Sequence, residues 1–228
     1  MSGSPSMFAV PAWWLSGAHL AKVTSVDDPD GKGRVQVQLH GADPDGEAKV
    51  WARVAVGFAG SNYGAFFIPG VDEEVVVVFT GGDVRYPIVI GALWTGADDL
   101  PEELSGDKVD RWTLTGKDGT RIAIVEEGAG QAKVEIETPN GAKATLTDES
   151  GGEITLTVGT NTLTMDTSGV SIETSGEFSV QASSITMNAG SVSVTSGFST
   201  FSGVVTANSV ITQSVVSATY TPGAGNIW

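Results

Sequence analysis

Two histidines, His19 and His40, are the first side chains in this 228-residue sequence to examine for chemistry. A histidine can act as general base to a serine when an aspartate orients it. No Gly-x-Ser-x-Gly elbow stands in the sequence to present such a serine. Both histidines fall at the ends of expected strands, where packing or an edge position is their expected role. Two pairs of adjacent carboxylates follow, Glu102/Glu103 and Glu126/Glu127. Acid–base work needs one member of a pair in a desolvated pocket. A linker and a strand end offer none. The tetrapeptide Asp-Pro-Asp-Gly occurs twice, at 28–31 and 43–46, and resembles the opening of a calcium loop. It lacks the alternating acidic ligands and the closing glutamate, so a turn is expected. Gly57, Gly60 and Gly64 lack the Lys-Ser/Thr and the following helix of a phosphate loop. An inter-strand loop or a subunit contact is expected there. With no cysteine, thiol chemistry and disulfides are excluded. No catalytic residue, cofactor or metal is therefore expected. A net charge of −15 argues against a nucleic-acid groove, and residues 18–95 carry more acidic than basic side chains.

The elements that would position these residues are strands. From Glu153 to Thr195 the chain alternates apolar and polar at a short step. The pairs are Ile154/Leu156, Leu163/Met165, Val170/Ile172, Phe178/Val180, Ile185/Met187 and Val192/Val194. Period-two alternation marks strands with one buried face, and a short β repeat marks a solenoid or β-helix. One chain supplies only a narrow apolar stripe, with Ser and Thr on the other face. Three chains could close their stripes around a shared axis and pair the exposed edges. The expectation is an intertwined homotrimeric β-helix, a triple-stranded β-prism; the alternative is a parallel β-helix of one chain. All twelve Lys and Arg lie at or before Lys143, and no charged residue or histidine follows Glu177. Such a charge-free stretch could enter a membrane with little to desolvate.

Strands are expected at His19–Val26, Gly33–His40, Trp51–Val56, Glu74–Thr80 and Tyr86–Leu93. Five short antiparallel strands in so few residues suit a small barrel such as the OB-fold. The all-β reading is thus an arm over 1–17, a barrel over 18–95, an acidic linker over 96–110, a shaft over 111–217 and a tip over 218–228. Further strands are expected at Arg111–Thr115, Arg121–Glu126 and Lys133–Thr138, with a tight turn at Pro139-Asn140-Gly141. The apolar stretch Met7–Leu15 is too short to span a bilayer and lacks a positive leader. It reads as a docking arm anchored by Trp13 and Trp14, with packing on the chain's own barrel as the alternative. Synthesis in the cytoplasm without a signal peptide is expected.

The segments DPDGKGRVQVQL (28–39), WARVAVGFAGSNYGAFFIPGVDEEVVVVF (51–79) and GDVRYPIVIGALW (82–94) resemble the OB-fold of phage baseplate assembly protein V and of VgrG proteins. RWTLTGKDGTRIAIVEE and VEIETPNGAKATLTDE are similar to the opening of their β-helix. The resemblance implies a trimeric spike in a phage tail baseplate or phage-tail-like particle. Such a spike caps the tail tube below a hub and is driven through the target envelope when a sheath contracts. It also implies partners: a separate hub at the N-terminal end, contacted by Trp13 and Trp14, and transient contact with a target membrane. At the C-terminal end, Tyr220, Asn226, Ile227 and Trp228 are expected either to contact a PAAR-like cone or to close the tip by apolar packing of the chain's own end. The short gap after the barrel leaves no room for an inserted lysozyme domain. Without a histidine beyond His40, the His-x-His iron site of some needle tips is not expected. A trimeric tail fibre or adhesin, and a spike that degrades cell-wall or surface polymer, are the alternatives.

Overall fold

Val35, Val37 and Leu39 alternate with Gln36 and Gln38, and the apolar three are buried. That alternation repeats around a closed five-stranded barrel. The computed structural model describes residues 16–41, 48–104 and 106–219. Trp13, Trp14, Tyr220, Asn226, Ile227, Trp228 and the second Asp-Pro-Asp-Gly lie outside them. The first strands are β1 (Ala18–Ser25), β2 (Val35–Leu39) and β3 (Lys49–Val54). A two-residue pair follows, β4 (Ala59–Gly60) and β5 (Tyr63–Gly64). Then come β6 (Glu74–Phe79) and β7 (Pro87–Leu93). The barrel order is β1-β2-β3-β7-β6. Four of its pairings are antiparallel, but β3 and β7 close it in parallel, with Val54 opposite Val89. An all-antiparallel barrel was expected. Apolar alternation shows which residues face inward, but not which strands become neighbours.

The lumen is narrow and filled mostly by valine. Val23, Val35, Val37, Val75, Val77 and Val89 are fully buried, with Ala21, Ala52, Leu39 and Phe79 completing the core. β-branched side chains suit this setting because the pleated strand already restricts their rotamers. The first Asp-Pro-Asp-Gly forms the turn from β1 to β2. The Asp28 carboxylate accepts hydrogen bonds from the backbone N–H groups of Asp30, Lys32 and Arg34 and from the Arg34 guanidinium. Arg34 also lies over the Trp51 ring, at 5.7 Å. The Asp28 side chain is only 4% exposed, and its oxygens are engaged by protein donors. It is a turn-closing residue, as expected, with no lone pair left over for a cation.

A second sheet follows, a seven-stranded meander in chain order. Its strands are β8 (Arg111–Thr115), β9 (Arg121–Glu126), β10 (Ala132–Glu137), β11 (Lys143–Thr147), β12 (Glu153–Val158), β13 (Asn161–Asp166) and β14 (Gly169–Glu173). Every neighbouring pair is antiparallel. Over 111–173, therefore, the chain supplies its own ladder partners, and it does not form the parallel coil of a one-chain β-helix. The turn at Pro139–Gly141 is present. Gly141 takes φ +79° and donates its N–H to the Thr138 carbonyl at 2.9 Å.

The chain divides into two units, Met1–Gly176 and Glu177–Trp228. In the second, residues 177–219 are exposed throughout, with bends but no assigned strand.

Candidate assembly interface

The strand registers of the meander align its apolar residues into two rows across one face. The first row is Trp112, Ile124, Val134, Leu146, Ile154, Met165 and Val170, each opposite the next on the neighbouring strand. In the second row, Leu114, Ile122, Ile136, Ala144, Leu156, Leu163 and Ile172 are joined in the same way. Side chains alternate faces along a strand, so these fourteen share one face. The other carries Arg111, Arg121, Lys133, Glu135, Glu137, Lys143 and a set of threonines.

Burial is distributed the wrong way round for a lone chain. Twelve of the fourteen row residues are exposed, from Val134 at 37% to Val170 at 62%. On the opposite face the Glu135 side chain is 12% exposed and that of Arg111 19%. Charged groups are thus more deeply set than the isoleucines and leucines behind them. An apolar surface this continuous far exceeds the scattered exposed residues of a typical soluble surface. Such a face is built to be covered.

The charged face has its own order. The linker lies along it through Glu102, whose carboxylate accepts from Arg121 Nε at 2.6 Å and from Arg111 at 3.5 Å. Arg111 Nε also donates to Asp110 at 2.8 Å, and another of its nitrogens donates to Glu127 at 2.9 Å. Arg121 reaches Glu135 at 3.0 Å, and Lys143 meets the same carboxylate at 3.2 Å. The hydrogen bond from Arg121 holds the Glu102 carboxyl below the usual range for a glutamate. Arg111 does the same for Asp110. Burial raises Glu135, but hydrogen bonds from Lys143 and Arg121 outweigh it and the net shift is downward. These ion pairs tie Glu102 and Asp110 to the charged side of the sheet.

The residues singled out for chemistry are not brought together into one pocket. His19 meets the Phe79 ring edge-on at 5.5 Å. His40 Nδ1 faces Glu74 at 3.3 Å on the half-exposed outer barrel surface. Glu102 and Glu127 hold arginines. Gly57, Gly60 and Gly64 belong to the loop that carries β4 and β5. The expected ladder enters both rows from Ile154 onward. The part of the rows before it was missed, as was strand β11. The signal was present: Trp112/Leu114, Ile122/Ile124 and Val134/Ile136 have the same x-apolar-x-apolar spelling, interleaved with charges.

Comparison with known proteins assigns both halves of this arrangement. The family profile described as type VI secretion system/phage-baseplate injector OB domain matches residues 19–94. The profile described as phage baseplate V C-terminal trimerisation domain matches residues 133–198. The chain thus carries matches to two baseplate V domains, the injector OB domain and the C-terminal trimerisation domain. The type VI secretion system spike protein VgrG4b of Pseudomonas aeruginosa is 35% identical over 112 residues, 46% of this chain and 14% of that protein. VgrG5 of the same organism is 33% identical over 112 residues, again 46% of this chain and 14% of that protein. VgrG3 of Vibrio cholerae is 35% identical over 82 residues, 35% of this chain and 8% of that protein. The matched part of this chain thus spans at most about a seventh of these curated relatives. The trimerisation match takes in β10 to β14 and so most of both apolar rows.

Proposed function

We propose that the chain forms a homotrimeric spike at the tip of a contractile tail or type VI-like injection machine, with a structural rather than a catalytic role. The observation that carries this reading is the inverted sheet, apolar face open and charged face strapped, within a segment that matches a trimerisation domain. Three copies bring their apolar rows together about a common axis. Beyond Gly176 the alternation continues at the same short step without strand partners among the described residues, and three copies wound together as a β-helix supply them.

The direction of the barrel fits a spike. β1 and β6 pair antiparallel, with Lys22 opposite Glu74, so β1 starts at the end away from Glu73. Glu73 is the residue that meets Lys117 of the β8–β9 turn, at 2.9 Å. The N-terminal side therefore enters at the barrel end remote from the sheet. In this reading that end caps the tail tube and meets a hub, with Trp13 and Trp14 as docking residues. Tyr220, Asn226, Ile227 and Trp228 contact a PAAR-like cone. The charge-free stretch after Glu177 passes into the target envelope. Thr186→Lys combined with Ser193→Lys places charge on expected outward positions of that stretch. Assembled particles carrying both changes should still contain the trimer but lose delivery into target cells. Undiminished delivery would contradict the piercing role.

A further inference from the structure

The loop from Val54 to Val71, VAVGFAGSNYGAFFIPGV, holds eighteen residues without a charge in a chain of net charge −15. It presents four exposed aromatic side chains, Phe58, Tyr63, Phe66 and Phe67, with Phe66 82% exposed. The loop is nonetheless built. β4 and β5 pair through Ala59 opposite Gly64 and Gly60 opposite Tyr63. Ala65 donates its N–H to the Phe58 carbonyl at 3.0 Å. The Tyr63 ring lies where a side chain at Gly60 would be, and a Cβ at Gly64 would come within 2.9 Å of the Phe58 carbonyl oxygen. Rigid aromatics on an ordered loop are the usual anchors of a protein interface.

The strand directions place this loop. β3 runs parallel to β7 and ends at Val54, while β6 begins at Glu74, so both ends of the loop lie at the barrel end nearest the second sheet. There Lys117, in the turn joining β8 to β9, meets Glu73 and approaches Gly70. The apolar rows begin on β8 and β9, at Trp112, Leu114, Ile122 and Ile124. The C-terminal end of the aromatic loop, at Gly70, therefore adjoins the turn between β8 and β9, on whose strands the apolar rows begin. Three copies would together carry about three times −15, so close contact between them is favourable only where the surfaces are uncharged. This loop is such a surface.

We propose that the loop 55–71 is an inter-subunit clasp, its four aromatics packing on a second copy of the same chain beside the barrel. The proposal rests on the trimer reading. The chain has no cysteine, so Phe66→Cys and, separately, Phe58→Cys give single-site thiol probes in the full-length protein. Light scattering is recorded first. In a sample of trimer mass, maleimide should label both cysteines more slowly than it labels the denatured chain by about tenfold or more, the factor being set by local opening of the contact. A bifunctional maleimide should then link copies into species resistant to denaturant. A sample of monomer mass overturns the trimer itself. A trimer whose cysteines label as fast as in denaturant overturns the clasp alone. Protection that appears only in assembled particles, or only with lipid vesicles, assigns the loop to another occupant and also overturns it.

Discussion

Leu156 sits in the middle of the second apolar row, between Ala144 and Leu163 on the neighbouring strands. It is 46% exposed in the single chain. Full burial of a leucine is worth roughly 2 kcal/mol, so assembly recovers about 1 kcal/mol per copy at this position. An aspartate there forfeits that amount and adds at least about 2 kcal/mol for a polar group buried without partners. The cost is roughly 3 kcal/mol per copy, or roughly 9 kcal/mol per trimer. That raises the trimer's dissociation constant by roughly six powers of ten. The control is Thr157→Asp one residue along, on the opposite face, where Lys143 lies directly across on β11. Thr157 is half-buried, and a partly exposed charge directly opposite a lysine changes stability by about 1 kcal/mol or less. Light scattering after size exclusion at micromolar concentration should show Leu156→Asp dissociated and Thr157→Asp assembled. If the two variants share one mass and one dissociation midpoint in denaturant, the apolar rows are not the interface.

Three other predictions follow from local geometry. Glu102→Gln removes a charge partner of Arg121 and Arg111, which should lower the thermal midpoint at pH 7. Because the Glu102 carboxyl titrates lower folded than unfolded, its stabilisation is complete above the ordinary glutamate value of about 4.3. It is lost as pH falls further through the depressed folded value, so the wild-type and variant midpoints should converge in acid. Asp28→Asn should behave in the same way for the barrel, since Arg34 holds that carboxyl well below the usual range; a difference that persists in strong acid would show that the role is steric. Gly141→Val forces a β-branched residue into φ +79°. It should cost about 1–3 kcal/mol, read as a lower denaturation midpoint of the β10–β11 region by hydrogen exchange.

The parts of this fold that were legible from sequence are those governed by local alternation. Val35/Val37/Leu39 and Ile154/Leu156 declare their faces because one side of each strand is apolar without exception. The rows across β8 to β11 were harder to read because Arg121, Lys133, Glu135 and Lys143 interleave them. Charge that dense suggests solvent, whereas here Arg121 holds Glu102 of the linker and Arg121, Lys133 and Lys143 converge on Glu135. The pairing of β3 with β7 depends on two segments more than thirty residues apart, and nothing local encodes it. The Gly-rich loop was legible only as a loop or contact; its aromatic display needed the β4–β5 pairing and the direction of β3.

In the trimer proposed above, the inverted sheet is completed by two further copies of this chain. The most direct test is the mass of the full-length protein in solution at micromolar concentration. A trimer has about three times the chain mass of 23.4 kDa, and it stays together at high salt because the contact is apolar. A species of single-chain mass under those conditions would contradict it.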